Sequence, residues 1–234
     1  MTTAMPPRQL VLDLPVRTSS GRDDFFVTAA NQDAVAVIDA WPDWPAPVMV
    51  LTGPPGSGKS HLCDVWAGQA GARKVAAAAI GAAAVADLLA GAALVVEDAP
   101  GEALDEAAFF HLLNLARETR SSLLIAARAD PAHWPVSLPD LRTRLMALDV
   151  VRLGAPDDHL MRGVIVKQFQ DRQIGIDEAV VSYMLTRMER SLEAVGRLVA
   201  EIDRAALAEQ ARITRTFVAR IMAVRAEPDL FGED

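Results

Sequence analysis

Gly53-Pro54-Pro55-Gly56-Ser57-Gly58-Lys59-Ser60 lies between the apolar run Val48-Met49-Val50-Leu51-Thr52 and a stretch, Lys59 to Gln69, that reads as a helix. The pattern G-x-x-x-x-G-K-[ST] is specific for phosphate binding when it follows a strand and opens a helix. Glycines at 53, 56 and 58 let the backbone turn so that its N–H groups meet phosphate oxygens, and the helix N-terminus adds a favourable partial charge. In such a phosphate loop the Lys59 ammonium reaches the β- and γ-phosphates and the Ser60 hydroxyl ligates Mg²⁺. The expected contacts of ADP or ATP are therefore Gly53, Pro54, Pro55, Gly56, Ser57, Gly58, Lys59 and Ser60, with His61 directly after them.

Outward from the loop the pattern alternates. Strands are expected at Val48 to Thr52, Lys74 to Ile80, Ala93 to Val96, Leu123 to Ala127 and Asp149 to Leu153. Between them fall helices at Lys59 to Gln69, Ala82 to Leu89, Leu104 to Thr119 and Pro139 to Leu145, with a further short one over Asn31 to Ala40. Strands separated by helices of this length imply right-handed crossovers, hence an α/β fold with a parallel sheet flanked by helices. Trp41-Pro42-Asp43-Trp44-Pro45-Ala46-Pro47 cannot stay helical, because proline removes a donor and disfavours helix in the residue before it. After Pro156 the period is helical throughout: Asp157 to Arg172, Asp177 to Arg187, Leu192 to Gln210 and Thr216 to Arg225. Asp157, Asp177 and Thr214 or Thr216 are the cap candidates. The expected organisation is an N-terminal segment 1–24, an α/β domain 25–154, a small helical domain 155–226 and an acidic tail 227–234.

A phosphate loop needs acids at the end of a neighbouring strand, to hold Mg²⁺ and to orient the attacking water. Ala93-Leu94-Val95-Val96-Glu97-Asp98 supplies them, with Glu97 expected at the metal beside Ser60 and Asp98 as the base. The usual order places an aspartate first, so Glu97 is a departure and Asp98 is one methylene shorter than the usual glutamate base. The pair favours binding over hydrolysis.

The 234 residues include one cysteine, Cys63, and four scattered histidines, which excludes an internal disulfide and disfavours a zinc site. A reducing cytoplasm fits, and Met1 to Arg8 lacks the pattern of a signal peptide. The Ala/Gly-rich stretch Val75 to Val96 contains Asp87 and ends in Glu97-Asp98, so it reads as soluble core. A net charge of −8 argues against a protein that grips nucleic acid through its own field, and DNA is expected as an indirect partner. Cys63 and His61 read as packing residues rather than a catalytic pair, and Trp41, Trp44 and Trp134 as packing at the domain edge.

From Phe25 to Arg225 the chain resembles the AAA+ module of the DnaA family, and within it the Hda-type regulators. The resemblance rests on Phe26-Val27 with Asn31, on Gly58-Lys59-Ser60-His61-Leu62, on the Glu97-Asp98 strand, and on Leu138-Pro139-Asp140-Leu141-Arg142-Thr143-Arg144-Leu145. It implies a helical lid after the sheet, Asn31 near the nucleotide, and an arginine finger at Arg144 acting on ATP held by a partner, DnaA. A surface pair with Asp140, four residues earlier, is the alternative for Arg144. The family's helix-turn-helix DNA reader does not follow the lid, which points to a regulator rather than an initiator. Gln9-x-x-Leu12-x-Leu14, with Leu10 between, resembles the short peptide by which such regulators dock on the DNA polymerase sliding clamp. An edge strand on this protein's own sheet is the other reading of that peptide. Asp229-Leu230-Phe231 resembles the end of such a peptide and is left as part of the acidic tail.

Two family features are absent. Glu193 stands where the lid normally carries a phosphate-touching arginine, leaving Arg190 or Arg197 as substitutes or as members of a salt-bridged helix face. Ala127-Arg128 replaces the small polar residue that senses the γ-phosphate. A homodimer is compatible with the family, and an AAA+ motor such as a helicase loader is the rival reading.

Overall fold

The computed structural model describes residues 26–91 and 93–226. They fall into two compact units, one up to Ala155 and one from Pro156 onward. The first unit runs α1 (Gln32–Asp39), β1 (Val48–Thr52), α2 (Lys59–Ala70), β2 (Arg73–Ala76), α3 (Val85–Leu88), β3 (Ala93–Ala99), α4 (Glu106–Thr119), β4 (Ser122–Ala127), α5 (Pro139–Met146) and β5 (Asp149–Arg152). Its strands form one parallel sheet in the order β2-β3-β4-β1-β5. β1 lies between β4 and β5, while the chain leaving β1 travels to the far edge at β2. The phosphate loop therefore emerges at the carboxyl ends of the strands, where sheets of this kind place their ligands.

Every residue of β1 is buried, because helices cover both faces. Val48 and Val50 pack with Leu94, Val96, Leu123 and Ile125 beneath α4, whose Phe109, Leu112 and Leu113 fill that layer. Met49 and Leu51 point the other way, with Val95, Leu124 and Val151, toward Leu62, Cys63 and Trp66 of α2 and Ile38 of α1. Alternation along each strand thus builds two cores from one sheet. Trp44 stacks on Trp66 at 5.1 Å between centroids, and Trp41 meets it edge-on at 6.1 Å. The proline-rich loop is pinned by these rings, and the two indole N–H groups donate to Val37 O and Ser122 Oγ.

The helical unit comprises α6 (Asp158–Gln170), α7 (Glu178–Leu185), α8 (Leu192–Glu209) and α9 (Arg215–Ala226) around Ile165, Phe169, Val181, Met184, Val195, Val199 and Val218. Asp157 accepts from Leu160 N, Ser191 from Ala194 N and Thr214 from Phe217 N, which satisfies orphan donors at three helix starts. Asp177 occupies a cap position without a side-chain bond.

Three elements differ from expectation. The strand expected to reach Ile80 stops at Ala76, and the helix expected over Ala82 to Leu89 is a 3₁₀ turn at Ala82–Ala84 followed by one α-helical turn. Alanine and glycine commit neither face of a strand nor one stripe of a helix, so the end of pairing with β3 decides where β2 stops. β3, conversely, continues past Val96 to Ala99 with a shift in register between those residues.

Candidate functional site

The phosphate loop is shaped by its glycines. A Cβ on Gly53 would lie 2.7 Å from Leu153 O and 2.9 Å from Ser57 Oγ. Gly56 and Gly58 take φ of 68° and 99°, which side-chain-bearing residues rarely adopt. Gly58 opens α2 with no side-chain cap, so the first N–H groups of the helix remain available to an anion. Ser57 is 3% exposed, and its Oγ finds no hydrogen-bond partner among the described residues. A buried orphan hydroxyl within an uncapped glycine loop fits a phosphate-bearing ligand.

Lys59 Nζ donates to Gly53 O and Pro54 O, each at 2.8 Å. Partial burial, and then the guanidinium of Arg128, lower its pKa, while the Asp98 carboxylate acts in the opposite sense. The loop lysine, the cation that follows β4 and the acid in β3 are thus brought together, and a phosphate beside the ammonium would offset both lowering effects. Arg128 stands at the strand end where a small polar residue was expected. Asp98 is exposed and holds φ at 55°, a left-handed backbone for a non-glycine residue within the irregular end of β3. Strain of this kind often marks functional sites.

Glu97 sits otherwise than the sequence suggests. Its Oε2 lies 3.0 Å from Lys74 Nζ, and the same ammonium donates to Asp64 Oδ1 at 2.5 Å. Hydrogen bonding to Asp64 raises the Lys74 pKa, against a smaller opposing effect of burial. Among the described residues no cluster of three or more His, Cys, Asp or Glu could hold a metal. The residues present therefore suit a nucleotide well and offer Mg²⁺ the Ser60 hydroxyl without a free Glu97.

Asn31 is 3% exposed and satisfied within its own turn: Oδ1 accepts from Thr28 N at 2.8 Å and Nδ2 donates to Phe26 O at 2.8 Å. That turn reaches the site through its backbone, since Gly154 N donates to Ala30 O at 2.8 Å one residue after the Leu153 carbonyl that confines Gly53. Cys63 is fully buried against the sheet, and burial, aided by Glu97, pushes its thiol up to about 12. His61, in contrast, is exposed, so it is no packing residue. Trp134 is buried on Phe109 as expected, and its indole donates to Ala129 O.

Arg144 lies near the end of α5, which starts with Pro139 at its first turn. The helix entrance is held by Glu106 of α4, whose carboxylate accepts from Ser137 N at 2.8 Å and Leu138 N at 2.6 Å. Arg142 donates to Val136 O in the same turn. Arg144 is half-buried, and among the described residues its side chain makes no hydrogen bond or ion pair, with Asp140 or any other group. In the helical unit Arg190 pairs with Asp158 at 2.8 Å and Arg197 with Glu193 at 2.5 Å, the salt-bridged surface that the spacing allows. Gln9, Leu10, Leu12 and Leu14, like the tail from 227 to 234, lie outside the described residues.

Sequence reasoning missed Lys74 and Glu106. Neither belongs to a motif, and each matters through a partner more than twenty residues away that only strand register or helix packing brings close.

Residues 158–222 match the family model described as the lid domain of Hda. The helical unit is thus similar to the lid of Hda, in a chain with the α/β fold of an AAA+ module. Domain III of DnaA from Thermotoga maritima superposes with a TM-score of 0.68 at 14% identity, covering 87% of this chain and 95% of that one. AMPPCP-bound DnaA from Aquifex aeolicus gives 0.66 at 16% identity, covering 86% and 68%. A variant of RuvB from Thermotoga maritima gives 0.67 at 16%, covering 83% and 68%. At these identities the structural likeness speaks for the fold. An uncharacterized protein of Haemophilus influenzae is 25% identical over 192 residues, 77% of this chain and 83% of its own. Among the described residues no helix is long and apolar enough to cross a membrane.

Proposed function

We propose that the chain is a nucleotide-loaded, cytoplasmic regulator of replication initiation. It binds ADP or ATP through residues 53–61 and is tethered by Gln9, Leu10, Leu12 and Leu14 to the sliding clamp of the DNA polymerase. From there it presents Arg144 to ATP held by DnaA. Within its own site Asp98 is the acid placed to orient water, and DNA is reached through the partners rather than through a field of net charge −8.

The observation that carries this reading is Arg144: a half-buried guanidinium without a partner among the described residues, on a helix whose entrance is fastened by Glu106. An arginine finger works by meeting charge that develops on the γ-phosphoryl group as water attacks and ADP leaves, and it is often supplied by a second molecule. The Hda description of the lid supports DnaA as that molecule.

Purified protein mixed with DnaA, DNA and clamp is expected to accelerate loss of DnaA-bound ATP, with Arg144→Ala removing the gain. An unchanged rate with the wild-type chain sinks the reading. Substantial ATPase by the chain alone, destroyed by Lys59→Ala, would point to a motor instead. Capture by the clamp, lost in Gln9→Ala/Leu12→Ala, tests the tether.

A further inference from the structure

The ion-paired acid at the end of β3 changes what the nucleotide site needs. Lys74 of β2 stands opposite Val95 of β3, and Ala76 opposite Glu97. Lys74 and Glu97 are therefore diagonal neighbours on one face, within reach of a long side chain. It is the face that Val95 shares with Leu62 and Cys63 of α2, the helix that begins in the phosphate loop. Asp64 of α2, itself 60% exposed, accepts from the Lys74 ammonium at 2.5 Å on the other side of its 3.0 Å contact with Glu97. Glu97 keeps 24% of its side-chain surface exposed and Lys74 32%, with Lys74 standing exposed on the edge strand β2, so solvent screens the contact in part.

We infer that Lys74 is a built-in counter-cation for Glu97, and that it makes nucleotide binding by this chain largely independent of Mg²⁺. The inference rests on the phosphate loop being a nucleotide site. In a site of this type Mg²⁺ is held through the loop hydroxyl and by the strand acid, and it keeps several of its waters. Here the acid's charge is already matched by an ammonium that is itself fastened to the loop helix. A hydrated Mg²⁺ near Glu97 would have to displace that ammonium or share the carboxylate with it. The phosphates are left to the loop N–H groups, Lys59 and Arg128, none of which needs a metal. Arg128, placed where its charge is felt by Lys59, supplies a second cation at the same end of the sheet.

The test is binding of ADP by the full chain, followed by calorimetry and by the rise in Tm, in buffer with Mg²⁺ and with chelator. Removing Mg²⁺ should weaken wild-type affinity less than about threefold, whereas in Lys74→Met, which frees Glu97, the loss should exceed about tenfold. Lys74→Arg keeps the charge and should behave as wild type. A wild-type loss above tenfold on chelation overturns the inference, even if the Met variant fails to fold, and so does a Met variant no more sensitive than wild type. Absence of ADP binding under both conditions would strike the nucleotide reading itself, a separate result from strong but Mg²⁺-dependent binding.

Discussion

Gly53 is confined on two sides, by the Leu153 carbonyl at 2.7 Å and Ser57 Oγ at 2.9 Å from the position a Cβ would take. The nearer obstacle is backbone at the end of β5, which cannot rotate aside. Gly53→Ala must therefore move either the loop or β5, and overpacking of this kind typically costs about 1–3 kcal/mol. The expected outcome is a lower Tm together with loss of ADP binding in calorimetry; a variant that binds ADP normally would show that the loop tolerates displacement. The glycine spacing was legible in the sequence because loop chemistry is local: the turn, the lysine and the hydroxyl are contiguous. The Lys74 to Glu97 pair was not, since it depends on which residue of β2 faces which residue of β3. Asn31 is an intermediate case. Its place near the site could be expected from the resemblance, yet its amide is taken up by Thr28 and Phe26, and the turn it closes meets Gly154 through the Ala30 carbonyl.

At the scale of the element, α5 decides how Arg144 is displayed. Its own side chain makes no hydrogen bond or ion pair among the described residues, so Arg144→Ala should leave unfolding free energy within about 0.5 kcal/mol of wild type while removing the effect on DnaA. A large loss of stability in urea titration would show that the residue is structural. Glu106 is the contrasting position. The N–H groups of Ser137 and Leu138 hold its carboxyl below the usual 4.5. Because the folded value is depressed, the contribution is present above the unfolded pKa and is lost as pH falls through the folded one. Glu106→Gln should thus lower Tm at neutral pH and flatten the fall in Tm below about pH 4.5, where wild type loses the same contact. Equal slopes for the two proteins would remove Glu106 from the acid response. Element positions were read well where a continuous apolar run is bounded by turn residues, as in β1 and β4. They were read poorly across 76–91, where alanines and glycines leave the choice between strand, 3₁₀ turn and helix to tertiary contacts.

For the whole molecule, the decisive feature is that each unit owns a core. The sheet unit buries two layers, one on each face, and the helical unit buries its own cluster centred on residues such as Phe169, Ile165 and Val199, all at 0% exposure. Two cores within one chain allow two unfolding transitions. Phe169→Ala removes a fully buried ring, a change that costs about 3–5 kcal/mol when the surroundings cannot collapse. A small four-helix unit has little stability to lose, since single domains rest on margins of about 5–15 kcal/mol. The expected calorimetric trace of the variant shows the helical transition moved to much lower temperature, with the sheet transition, and its response to ADP, retained. Nucleotide stabilises the state that binds it, so the transition that shifts with ADP identifies the unit carrying the phosphate loop. If both transitions fall together in Phe169→Ala, the two cores melt as one cooperative body, and the lid contributes to the stability of the nucleotide site itself.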